Sequence, residues 1–147
     1  LRSPVFPKRQ RRKAREYALQ LLFQWEGARP DPESLLPDFW RGIKKVDNET
    51  LRFAEELFRG AAASLEEIDP LIAAHSQHWR LERMAAVDRN LLRLAVYEMQ
   101  AHPETPPAVV IDEALEIARR FSTEESVEFI NGVLDAVHKT LAARARS

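Results

Sequence analysis

Six cations, Lys8, Arg9, Arg11, Arg12, Lys13 and Arg15, fall within eight residues near the start of the chain, with no carboxylate among them. On a helix, Lys8, Arg12 and Arg15 share one side and Arg9 and Lys13 adjoin them. Such a cluster can grip phosphates without burying a charge. Like positive charges in a first turn oppose the helix dipole, which favours acidic residues there, and an anionic partner would remove that cost. With Arg2 included, residues 1–15 carry +7 and the remaining 132 residues carry −8, although the 147-residue chain as a whole is only −1. A basic arm on a mildly acidic body points to a polyanion at one edge, whether RNA, DNA or a membrane surface. A solvated helix start is the plainer alternative.

Single-stranded RNA would also need a stacking platform, and Phe129 is the candidate. It sits about 100° around a helix from the inward Ile130, beside Glu125, Gly132 and Ala136. A phenylalanine at the edge of the core is the competing reading. Gly132 inside the same helix costs about 1 kcal/mol relative to Ala, which predicts a close approach by another helix or a ligand. Arg89 and Arg93, four residues apart on an otherwise apolar helix, repel unless each finds a partner. Either they join an internal network with Asp88 or Glu98, or they edge a protein-binding surface.

Other chemistries find little support. His75, His78 and Glu82 have the spacing of ligands on one helix face, but Trp79 and Arg80 mark a helix boundary and no second helix supplies a companion pair. Surface histidines and no metal site are expected. The absence of cysteine removes disulfides, thiolate nucleophiles and Cys-containing metal centres. No nucleophile elbow is present, and the four glycines build no phosphate-cradling loop, so neither an enzyme nor a cofactor is expected. No run reaches the roughly 18 apolar residues of a membrane span, and the basic start lacks the apolar core of a secretory signal. A cytoplasmic protein is expected.

The elements that must position these residues are helical. Apolar residues recur at steps of three and four almost throughout, and strand-type alternation is missing, so the chain reads as all-α. The first helix follows Pro7 and carries Ala14, Tyr17, Ala18, Leu21, Leu22 and Trp25 inward. A short helix around residues 35–43 is expected to be interrupted near Pro37. Asp47 is a plausible N-cap for a long third helix up to Ile68, with a kink or restart at Asp69-Pro70 and helix on both sides. Residues 81–101 are apolar around most of the circumference, the mark of a buried central helix. A fifth helix turns Ala108, Ile111, Ala114, Leu115, Ala118 and Phe121 inward, and Ser122 with Glu125 forms a capping-box pattern for the last. Residues 1–7, with two prolines, read as a flexible lead-in to a single domain over residues 8–147.

Three segments together resemble the NusB family of bacterial transcription antitermination factors. They are Arg11-Arg12-Lys13-Ala14-Arg15-Glu16 with the following residues to Trp25, the run from Asp88 to Met99, and the run from Pro107 through Ile111-Asp112-Glu113-Ala114 to Phe129-Ile130-Asn131-Gly132-Val133-Leu134-Asp135. Their order and separations cover nearly the whole chain. The resemblance implies a NusB-like fold of about six to seven helices in two packed helical subdomains. It implies binding to boxA RNA, a short single-stranded element of ribosomal RNA leaders, together with NusE, ribosomal protein S-ten. It also implies a place in the RNA polymerase antitermination complex with other Nus factors, and it allows a homodimer. Carried over by position, Arg11, Arg12, Lys13 and Arg15 would meet phosphates, with Lys8 and Arg9 of the same basic cluster beside them, and Glu125, Ser126 and Phe129 would lie along the same RNA path. Phe23 and Asp88, with Arg93, would face the protein partner. Two other readings stand beside this one: an RNA-binding module like the N-terminal domain of RNA cytosine methyltransferases, and a helical adaptor that binds only protein.

Overall fold

The structure, a computed structural model, describes residues 8–77 and 80–147. The expected lead-in at residues 1–7, and His78 of the candidate metal trio, lie outside the described residues. Within them the chain forms seven α-helices and no strand: α1 (Lys8–Glu26), α2 (Pro32–Arg41), α3 (Asn48–Ala63), α4 (Leu65–His75), α5 (Ala86–Ala101), α6 (Pro107–Phe121) and α7 (Glu124–Ala145). A single turn of 3-10 helix, Leu81–Arg83, precedes α5.

Helix α5 is the axis of the molecule. It touches α1, α3, α4, α6 and α7, while α1 also packs along α3 and α2 covers both. Leu91, Leu92, Leu94, Ala95 and Val96 of α5 are buried together with Leu21 and Leu22 of α1, Leu57 and Phe58 of α3, Ile68 and Ile72 of α4, Ile117 of α6 and Ile130, Leu134 and Val137 of α7. Hydrophobic burial from six helices therefore converges on one core.

Helix ends follow local chemistry. Asp47 caps α3 as expected, its carboxylate accepting from the backbone N–H of Thr50 at 2.8 Å. Asp31 caps α2, and Pro32 occupies the first helical position, where its missing N–H costs nothing. Five expectations are corrected. Helix α2 runs unbroken through Pro37, and α4 runs unbroken through Pro70; the break in the long third helix falls instead at Ser64. The cap of α7 is Thr123, whose hydroxyl accepts from the Ser126 N–H at 3.0 Å, because Ser122 is drawn away to a side-chain partner on α5. The central helix begins at Ala86 rather than Leu81. On α6, Ala108 and Phe121 lie outside the buried face, which Val110, Glu113 and Ile117 complete.

One close crossing sets the distance between α3 and α5. A Cβ added to Gly60 would fall 1.9 Å from the Tyr97 ring, and that ring is held in place by donating its hydroxyl to Glu56. Only a hydrogen atom fits between the helices there. Gly60→Ala is expected to destabilise the fold by about 1–3 kcal/mol, the usual range for overpacking. Gly27→Ala, with nothing within 4 Å of the added atom, serves as the control. Urea unfolding of the two variants tests this, and equal midpoints would contradict it.

Candidate nucleic-acid interface

The basic start of α1 divides into cations that hold the fold and cations that face outward. Arg15 is 6% exposed, and its Nε and Nη2 donate to the two oxygens of Glu98 on α5 at 2.8 and 2.6 Å. Glu113 of α6 lies 3.7 Å from its Nη1. Arg12 makes a matching two-pronged contact to Glu113, at 2.8 and 2.9 Å. Such bidentate pairs are the strong form of a charged hydrogen bond. The expectation that Arg15 meets a phosphate is therefore corrected, since its guanidinium is enclosed and already paired. Arg12 keeps part of its surface open. Lys8, Arg9 and Lys13 are exposed and Arg11 is partly so. With no acidic residue in the first turn, the start of α1 keeps the unfavourable alignment with the dipole read from the sequence.

Arg9, Arg12 and Lys13 line a groove of about 730 Å³, closed on the other sides by Lys45, Val46, Asp47 and Thr50 before and within α3 and by Arg120 at the end of α6. Lys45 and Arg120 stand only in short basic pairs, with Lys44 and Arg119, and nothing in the sequence connects either pair to the arm. Only the folding of α6 alongside α1 brings Arg120 to Glu16, to which it donates.

At the far end of the molecule, Asp88 of α5 is 6% exposed and accepts from the Ser122 and Ser126 hydroxyls, one on each oxygen, both at 2.7 Å. It thereby ties the α6–α7 corner to α5. Phe129 stands one helical turn beyond Ser126, partly buried against the core. With Glu125, Ser126, Asp88, Arg83 and Met84 it lines a depression of about 240 Å³. No described residue comes within 4 Å of a Cβ built on Gly132, so the expected close approach of a helix is not found among the described residues.

Between these two areas lies an apolar groove of about 230 Å³ formed by Leu19, Gln20, Phe23, Val87 and Phe121 with Glu16 and Gln24. Phe23 is 55% exposed and Phe121 48%. Exposed phenylalanines side by side mark a contact surface more often than chance placement does. The spacing of Phe121 predicts a core position, but as the last residue of α6 it lies past the packed face.

Arg93 does not belong to that surface. It is 3% exposed, with Nε and Nη2 donating to Asp69 of α4, both at 2.9 Å, and Nη1 to Glu26 of α1 at 2.7 Å. Arg89 shares Glu26. The internal network expected for Arg89 and Arg93 is present, but its acids are Glu26 and Asp69 rather than Asp88 and Glu98. The expectation that Arg93 meets a protein partner is corrected accordingly. His75 is occupied by the Thr140 hydroxyl at 2.9 Å. Among the described residues no group of three His, Asp or Glu side chains has metal-binding geometry, and no helix is long and apolar enough to cross a membrane.

Helices α1, α5 and α7 thus present a basic groove, an apolar groove and an aromatic-edged depression on an all-helical frame. The NusB family model matches residues 12–139, and the chain belongs to the NusB family. It is 52% identical to the transcription antitermination protein NusB of Koribacter versatilis over 92% of this chain and 93% of that one. The corresponding protein of Solibacter usitatus is 49% identical over 89% and 90%. Among solved structures, Thermotoga maritima NusB superposes with a TM-score of 0.79 at 38% identity, covering 95% of this chain and 93% of the other. A NusB crystallised with NusE and double-stranded RNA superposes with a TM-score of 0.81 at 28% identity, covering 91% and 99%.

The paired carboxylates set an acid limit on this frame. Hydrogen bonds from Arg89, then the charges of Arg89 and Arg93, hold Glu26 below the ordinary glutamate value of 4.5. Arg12 does the same for Glu113. A depressed folded-state pKa stabilises the fold above the unfolded value, and that contribution is lost as pH falls through the folded one. Stability from urea unfolding is expected to fall once pH drops below about 4.5, less steeply in Glu113→Gln. An unchanged pH profile in that variant would contradict the assignment.

Proposed function

We propose that this chain is a transcription antitermination factor that binds boxA-type single-stranded RNA of ribosomal RNA leaders together with NusE, acting with other Nus factors on RNA polymerase in the cytoplasm. One observation carries the reading: the three surfaces are continuous. Glu16 lines both the basic and the apolar groove, and consecutive residues Val87 and Asp88 join the apolar groove to the Phe129 depression. An RNA running from the arm to α7 would border a protein seated on Phe23 and Phe121, so each ligand would complete the other's site. The likeness to a NusB crystallised with NusE and RNA supports this arrangement.

In this reading Lys8, Arg9, Arg11 and Lys13 contact phosphates, with Arg12 adding its open side. Phe129 stacks on a base, and Ser126 and Glu125 border it. The Glu125 charge weakens RNA binding by the protein alone and makes the partner's contribution larger. Phe23 and Phe121 anchor NusE, while Asp88 positions Ser126 from beneath.

Fluorescence anisotropy with labelled boxA-type and scrambled RNA of equal length, at two salt concentrations and with or without NusE, tests the proposal. Four phosphate contacts give a single-strand salt slope of at least about −2.8, or roughly 50-fold weaker binding on a fourfold rise in salt. NusE should tighten binding to boxA-type RNA more than to the scrambled strand. Equal binding to both, unchanged by NusE, would overturn the reading in favour of a protein-only adaptor. Phe129→Leu, which keeps the packing, should lose about 1–3 kcal/mol of RNA binding. Phe23→Ala should weaken NusE capture and leave binding to RNA alone unchanged; loss of both would contradict the division of surfaces.

A further inference from the structure

The geometry points to a second phosphate track: the groove between α1, the loop entering α3 and the end of α6, in which Lys45 and Arg120 hold the RNA backbone beside Arg9 and Lys13. The inference rests on the RNA reading above and extends it to residues outside the basic arm.

Five cations line the groove, Arg9, Arg12, Lys13, Lys45 and Arg120, against two carboxylates, Glu16 and Asp47. Both carboxylates are committed. Asp47 accepts from the Thr50 N–H, the Thr50 hydroxyl and the Gln10 amide at 2.8, 2.9 and 2.9 Å, so its charge serves the positive end of α3. Glu16 is 5% exposed and lies between Arg120 and Lys13. Even with Glu113 behind the groove neutralising Arg12, positive charge remains in excess. The cations also come from three separate elements and converge on one trough, whereas a merely solvated arm would leave them on α1 alone.

The shape favours a nucleic-acid strand over an acidic protein. A protein partner needs a desolvated apolar centre within its patch, and the exposed phenylalanines stand in the neighbouring groove instead. The cationic trough offers Lys45, Arg9 and Lys13 as exposed point charges and Arg120 with more than half its side chain open. That is the equipment for a flexible polyanion, whose binding needs charges along a path and little shape match. Arg120 also packs over the Phe121 ring, 5.0 Å from its centroid. It therefore stands where the track would meet the protein-binding groove, two residues before Ser122 and the α7 corner.

The test uses the full chain, labelled boxA-type RNA and a homopolymer of equal length, titrated between 50 and 200 mM salt. These concentrations span the range over which phosphate contacts are most visible. With six contacts rather than four, the wild-type slope is expected near −4.2. Lys45→Gln should reduce its magnitude by about 0.7 and weaken both RNAs alike, by about fivefold at 0.1 M salt. Lys45→Gln with Arg120→Gln should reduce it by about 1.4 and weaken binding about 25-fold. Lys45 is exposed, so its single variant reports binding even if loss of the Arg120–Glu16 pair lowers stability. Lys139→Gln, on an exposed stretch of α7, should change nothing. If Lys13→Gln lowers the slope while the Lys45 variants leave it unchanged, RNA binding stands and the second track falls. A wild-type slope near zero would remove both. Loss of NusE capture by Lys45→Gln with RNA binding intact would assign the groove to the protein and overturn the proposal.

Discussion

A helix buried on nearly every side can carry charge only where each charge meets its counterpart, and α5 is built under that constraint. Asp88, Arg93 and Glu98 are all less than 7% exposed, yet among the described residues no buried side-chain nitrogen or oxygen lacks a partner. The partners come from different neighbours: Arg15 and Glu26 from α1, Asp69 from α4, Ser122 and Ser126 from the α6–α7 corner. Removing one member of such a pair strands the other and typically costs about 3–5 kcal/mol. Apolar burial brings these helices together, but a stripe of leucines tolerates sliding. Fixed charge pairs do not, and so they set the height at which α1, α4 and α7 stand against α5.

The same constraint sorts the arginines. Those that meet a carboxylate of a neighbouring helix inside the packing, such as Arg15, Arg89 and Arg93, are consumed by the fold. Those one helical step away remain available to solvent. Basic residues three or four apart can therefore have opposite roles although they read as one cluster, and Arg12, half enclosed beside Glu113, occupies the boundary between the two sets.

Much of the frame was legible because it depends on local periodicity. The all-helical class, the Asp47 cap and the buried character of α5 follow from spacing and side-chain type. The breaks were less legible, since proline weighed more in the sequence than in the fold. Pro37 and Pro70 each forfeit one helical hydrogen bond, and packing of Leu36, Phe39, Ile68 and Ile72 into the core keeps their helices continuous. The candidate site was legible where its residues are adjacent, as in the basic arm and the Phe129 segment. It was illegible where residues distant in the chain meet. The apolar setting of Glu98 suggests an internal ion pair, but nothing local reveals that its partner is Arg15, or that Arg120 will lie beside Glu16, 104 positions earlier. Arg93 and Phe121 exchanged their expected places for the same reason: exposure is decided by the neighbouring helix, not by the period of their own.

Pinning Arg12 and Arg15 to α6 and α5 would shape how a strand is received under the proposed function. An isolated helix start so rich in like charge would fray, and a frayed arm would have to order itself each time it met a ligand, surrendering chain entropy at every encounter. Here that ordering is completed during folding, and the outward cations stand at fixed intervals of a rigid rod. In the proposed encounter, the ordering left to pay would then fall on the polyanion rather than on α1. Under the proposed function, recognition would resemble a strand settling onto a comb whose teeth are already set, and the spacing of those teeth, rather than their number, would be a property that the core of the protein controls.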